Sequence, residues 1–196
     1  ESGSVFIGDD AGANWEATSL SNTAVGRLSM GVGTMSTALY NSAFGFAALS
    51  NITSGDRNTA IGLQANSSND TGSWNTSAGH TSMISNTTSS SLGKTVPEAT
   101  HNTAIGYSSQ YYSLNGAYNT SVGSQTIGNG GITYAGTGNT AMGFKSLFNS
   151  QTGSYNTTVG YQAGDNITTG DYNISIGPDA DPPSATADYQ MNIGGI

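Results

Sequence analysis

The chain has 196 residues, 28 of them glycine, with no cysteine, 8% charged residues and a formal net charge of −8. Its cations are Arg27, Arg57, Lys94 and Lys145, too few and too scattered to neutralise a phosphate backbone or an anionic membrane surface, so no nucleic-acid partner is expected. The lack of cysteine excludes a disulfide framework and a thiolate metal site, and no apolar run approaches the ~20 residues of a membrane span, so no membrane insertion is expected. The chain opens on Glu1 without a leader pattern and is read as a processed product or a fragment.

A weakly hydrophobic chain rich in Gly, Ser, Thr and Asn is either disordered or an ordered repeat with a thin core. The pattern decides for a repeat, whose unit is NTAIG followed by two variable residues and a small one. The first coil is the degenerate SVFIG near residue 4. NTAVG at Asn22, NSAFG at Asn41, NTAIG at Asn58 and NTSAG at Asn75 follow. A long insertion, 80–101, separates the last of these from NTAIG at Asn102. NTSVG at Asn119 is followed by a smaller insertion, 127–138. The series ends with NTAMG at Asn139, NTTVG at Asn156, NISIG at Asn173 and the degenerate QMNIG at Gln190. Six of the ten spacings are 17 residues, which fixes the register. Insertions in a solenoid are expected to emerge as loops on one face.

Each slot of the unit has a physical job. The fifth is glycine in all eleven copies: Gly8, Gly26, Gly45, Gly62, Gly79, Gly106, Gly123, Gly143, Gly160, Gly177 and Gly194. Such a column predicts positive φ or close backbone approach at a corner. The fourth slot is apolar and is assigned to the core: Ile7, Val25, Phe44, Ile61, Ile105, Val122, Met142, Val159, Ile176 and Ile193, with Ala78 as a small exception. Strand residues alternate faces, so slots two and four share one face and slots one, three and five the other. Slot three is mostly Ala, Ser or Thr, so the second face also meets something close. Seventeen residues suit a coil of two short strands and two turns, and helices are disfavoured by composition and period. The expected fold is all-β: one repeat domain over 1–196, a parallel β-solenoid (β-roll) of about eleven short coils. Coils rising ~4.8 Å each make a rod roughly 50 Å long, and the repeated Asn is placed to form stacked amide ladders.

Residues that carry chemistry are sparse. His80 and His101 flank the long insertion but lack a carboxylate cluster beside them, a poor basis for a metal site. Asp9 with Asp10, Asp165 with Asp171, and Asp179 with Asp181 are the acidic pairs a glycan-cleaving site would use, yet all sit at turn-like positions. No catalytic residue, metal or cofactor is assigned, and no enzyme is expected. Aromatics recur just before slot one, at Tyr40, Trp74, Tyr118, Tyr155, Tyr172 and Tyr189. They are read as a stripe that shields the corner or contacts a glycan or partner, with Tyr107, Tyr111 and Tyr112 as a nearby cluster. Sequons outside the strand, at Asn51, Asn66, Asn69, Asn86 and Asn166, are the candidates for N-glycosylation.

The NTAIG-x-x-Ala unit resembles two groups of proteins: the head β-roll of trimeric autotransporter adhesins and the repeat shaft of tailed-phage tail fibres. Segments such as NTAIGYSS and TGSYNTTVGYQAG carry the likeness over nearly the whole chain, and TGSYNTTVGYQAG is more similar to the phage type. The resemblance implies a homotrimer, located outside the cell on a virion or cell surface. The expected function is therefore a structural or adhesive fibre segment, a tail-fibre shaft or receptor-binding rod that contacts a surface glycan or receptor. A self-assembling end-to-end surface filament or adhesin is the alternative, and a polysaccharide depolymerase a third reading.

Overall fold

The structure is a computed structural model that describes residues 3–84, 99–128 and 134–194. It is an all-β solenoid whose eleven strands form a single parallel sheet in chain order. The strands are β1 (Val5–Ile7), β2 (Thr23–Val25), β3 (Ser42–Phe44), β4 (Thr59–Ile61), β5 (Thr76–Ala78) and β6 (Thr103–Ile105). They continue as β7 (Thr120–Val122), β8 (Thr140–Met142), β9 (Thr157–Val159), β10 (Ile174–Ile176) and β11 (Met191–Ile193). Each strand is slots two to four of one repeat, and the register matches slot to slot, as in Thr59↔Thr76 and Ile61↔Ala78. Among the described residues no helix is long and apolar enough to cross a membrane.

The coil holds one strand, not two. The opposite wall is built of turns, with only two isolated bridges among the described residues, Trp15↔Met35 and Ser113↔Tyr134. Those turns close because non-glycine residues adopt left-handed backbone at fixed slots, such as Leu28 (φ 58°), Met30 (φ 49°), Gln64 (φ 53°) and Asn66 (φ 50°). Left-handed residues at these corners also join the rungs: Gln64 N–H donates to the Phe46 carbonyl of the preceding coil (2.8 Å), and Leu49 N–H to the Ala65 carbonyl of the following one (3.0 Å). At slot five the glycine column runs at φ +120° to +142° from Gly8 to Gly177, and a Cβ on Gly106 would lie 2.2 Å from the Gly123 carbonyl oxygen.

The interior corrects the sequence-based core. Slot three points inward: Ala24, Ala43, Ala60, Ala104 and Ala141 are fully buried, as are Ser77, Ser121, Thr158 and Ser175. Slot four points out. Ile7, Phe44, Ile61, Ile105, Met142, Ile176 and Ile193 are exposed, Ile61 at 49% and Ile105 at 43%, while Val25, Val122 and Val159 are half-buried. The two faces alternate as expected, but a coil this narrow has room only for small side chains on the strand wall. The bulky apolar residues of the core come from the turn wall instead: Met30, Leu49, Ile52, Met83, Ile127, Leu147 and Ile167.

The two walls trade volume within a coil. Where slot three is Phe6, the facing residue is Gly12, whose Cβ would lie 2.6 Å from the Phe6 ring; where it is Thr158, the facing residue is Gly164, whose Cβ would lie 2.5 Å from the threonine methyl. Where slot three is Ala24, Ala43 or Ala141, the corresponding residue is Met30, Leu49 or Leu147. Close packing demands this complementarity. Polar groups match too: Ser77 pairs with Ser82, Ser109 with Ser121 and Ser146 with Thr158 between the walls, and Ser109 with Thr126 along the turn wall, at 2.6–2.7 Å.

The slot-one asparagines form a buried ladder. Each backbone N–H from Asn41 to Asn173 donates to the Oδ1 of the previous rung's asparagine at 2.8–3.0 Å. Each Nδ2 donates to a carbonyl of the next rung, as Asn58 does to Gly72 at 2.8 Å. The smaller insertion has 129–133 outside the described residues. It places Tyr134 fully inside the rod, where its hydroxyl donates to Asn119 Oδ1 (2.8 Å) and accepts from Asn139 Nδ2 (2.5 Å).

Candidate functional site

The solvent face of the sheet is where this rod differs from an ordinary soluble surface. Slot four lines it with an in-register column of aliphatic and aromatic side chains from Ile7 to Ile193. Slot two runs beside that column, mostly as Thr or Ser, with Val5 in β1, Ile174 in β10 and Met191 in β11. Beyond the corner glycine, slot six adds exposed Phe46, Leu63, Tyr107, Phe144 and Tyr161. The exposed apolar side chains of slots four and six thus gather on one wall.

Ahead of the strand, the slot preceding the asparagine carries a ladder of flat groups. Its members sit in left-handed backbone, as Tyr40 (φ 60°), Trp74 (φ 62°), Tyr118 (φ 59°) and Tyr172 (φ 57°) show, so successive rings stand over one another at the rung spacing. Tyr155, Tyr172 and Tyr189 stack at 5.0 Å between centroids, with interplanar angles of 10° and 2°. Two members have no aromatic signal that a search for Tyr and Trp would find. The Arg57 guanidinium lies 5.2 Å from the Tyr40 ring and 4.6 Å from the Trp74 ring, and His101 stacks between Trp74 (5.8 Å) and Tyr118 (5.0 Å). At Gly138 the ladder lacks a side chain, and the Tyr155 ring covers the position, 2.7 Å from where a Cβ would stand. Stacking has a chemical consequence for Tyr172: local desolvation, then the neighbouring Tyr189 and Tyr155, push its hydroxyl above the ordinary tyrosine range.

On the other side of the strand, past the corner, an open cleft of about 290 Å3 lies where the β5, β6 and β7 coils meet, lined by His80, Tyr107, Tyr111, Tyr112 and Gln125 among others. His80 packs on Tyr107 at 5.4 Å and Tyr111 meets Tyr112 edge-on at 4.6 Å. The two histidines therefore join separate aromatic groups, His80 in the cleft and His101 in the ladder. Among the described residues no three His, Asp or Glu side chains gather as a metal site needs.

The acidic pairs serve turns and rungs. Asp9 pairs with Arg27 at 3.4 Å on the surface, Asp171 accepts the Ser154 N–H at 2.7 Å and Asp181 accepts the Asn166 N–H at 3.4 Å. Of the glycosylation candidates, Asn66 and Asn69 are fully buried, which removes them as acceptors in the folded rod. Asn69 bonds Gly72 through both ends of its amide, at 2.9 Å. Asn51 and Asn166 are half-buried and donate to the carbonyls of Ser67 and Pro182, and Asn86 lies outside the described residues. No protein-family model matches the chain, and neither does a curated protein or a solved structure.

Proposed function

We propose that the chain is a non-enzymatic segment of an extracellular fibre in which copies of itself pack side by side through the strand face. The observation that carries this reading is the exposed slot-four column: an in-register apolar stripe along the whole sheet, of the kind that marks an interaction surface. Ten rung steps of ~4.8 Å make it about 48 Å long, so a partner of the same period and length is a natural cover. A second copy supplies both. The resemblance to tail-fibre shafts and autotransporter heads favours a homotrimer, and a role as a shaft or receptor-binding rod on a virion or cell surface. Native mass spectrometry and sedimentation equilibrium test the assembly. A discrete oligomer of three chains is the expected result. A monomer at tens of micromolar would overturn the reading, and polymers growing end to end in electron micrographs would favour the filament instead.

A further inference from the structure

Among the described residues, the coil of β6 alone carries two adjacent aromatics after the turn. The two slots that follow the left-handed Gln110 are Tyr111 and Tyr112, whereas the corresponding slots elsewhere hold residues such as Ser50 and Asn51, Phe148 and Asn149, or Asp165 and Asn166. Tyr112 is exposed and is held against the half-buried Tyr111 in an edge-to-face pair at 72°. Tyr107, 52% exposed, also lines the cleft, with His80 packed against it. Thr81 and Ser108, whose hydroxyls bond each other at 2.9 Å, and Gln125 complete the lining. The lining therefore combines ring faces, hydroxyls and an amide, and among the described residues it contains no Asp, Glu, Lys or Arg.

From this geometry we infer that the cleft binds a neutral sugar ring; the inference rests on the adhesive-rod reading and gives it a specific ligand class. A pyranose presents an apolar C–H face and a rim of hydroxyls. Aromatic faces take the first, and neutral donors and acceptors take the second. The cleft volume of about 290 Å3 sits at the lower end of the ~300–1,000 Å3 typical of ligand pockets, which suits a short oligosaccharide segment rather than a large cofactor. An anionic ligand is disfavoured on two counts: no Lys or Arg among the described residues lines the cleft, and the chain carries a net charge of −8. The cleft is built from residues that follow the corner glycine, not from the strand, so its lining shares no residue with the slot-four column.

The test uses the native assembled protein on a printed array of neutral and acidic oligosaccharides, with hits titrated in solution. Binding to neutral structures is expected, with Tyr107→Ala and Tyr112→Ala each weakening it about tenfold or more and Val32→Ala, exposed at the matching slot of the β2 coil, leaving it unchanged. Tyr107→Leu serves as a second variant that keeps apolar bulk and removes the ring, should alanine disturb the fold. Absence of neutral-glycan binding, binding confined to acidic glycans, or equal binding by Tyr107→Leu and Tyr112→Ala to that of the unaltered chain would overturn the inference. Sedimentation of the same samples reports the oligomer separately, so failure of the sugar site and failure of the fibre reading are told apart.

Discussion

At the scale of single residues, the rod is governed by what the backbone must do at its corners. Gly106 has φ +127° and faces the Gly123 carbonyl at a distance no Cβ tolerates. Backbone strain and the clash between rungs act together there, so Gly106→Ala is expected to cost about 3 kcal/mol or more, read by chemical denaturation. The buried Asn66 is the opposite case. Neither end of its amide has a partner among the described residues, and the same slot holds Leu49 and Met83 in the coils on either side. Asn66→Leu is expected to stabilise by about 1–3 kcal/mol, because an unsatisfied buried amide is exchanged for apolar contact. Asp181 sets a pH dependence. Burial first, and then Asp165 beside it, raise its carboxyl above the usual aspartate range. The folded chain thus holds this proton more tightly than the unfolded chain, so the group favours folding at low pH and that contribution is lost as pH rises through the raised folded value. In melts recorded across the acidic range, Asp181→Asn is expected to flatten this part of the profile.

At the scale of the coil, two devices hold neighbouring rungs together. The first is the asparagine ladder. In Asn58→Ala the buried Asn75 N–H loses its acceptor, while the Gly72 carbonyl loses one of its two amide donors and keeps Asn69 Nδ2. A penalty of about 1–3 kcal/mol follows from the orphaned N–H, and hydrogen exchange is expected to quicken first at Asn75. The second device is the exchange of volume between the strand wall and the turn wall. Gly12→Ala collides with the Phe6 ring in the wild-type background, whereas the same change in a Phe6→Ala chain finds space. A double-mutant cycle of the two is expected to show coupling of about 1 kcal/mol or more, in the direction of rescue.

For the whole molecule, the controlling feature is the wall of apolar side chains outside the single chain. Charges placed in the column oppose any apolar contact made there without touching the buried walls. Ile61→Lys combined with Ile105→Lys is expected to shift the sedimenting species from oligomer to monomer while the β-sheet signal in circular dichroism is retained. Unchanged mass in that variant would place the self-contact elsewhere.

The period, the parallel all-β solenoid and the corner role of the glycine column were legible in the sequence, because a 17-residue repeat with Gly at one fixed slot admits few other chain paths. The alternation of two faces was legible for the same reason. Which face turns inward was not, because apolar character does not by itself decide burial when a coil is too narrow to enclose large side chains on its strand wall. Only the closed coil shows that Ala60 and Asn58 face the interior, that Ile61 faces out, and that Leu49 and Met83 fill the core from residues in left-handed turns. The stacking of Arg57 and His101 among the aromatics was hidden likewise, since the rung spacing that brings flat groups face to face belongs to the stacked coils and not to any one of them.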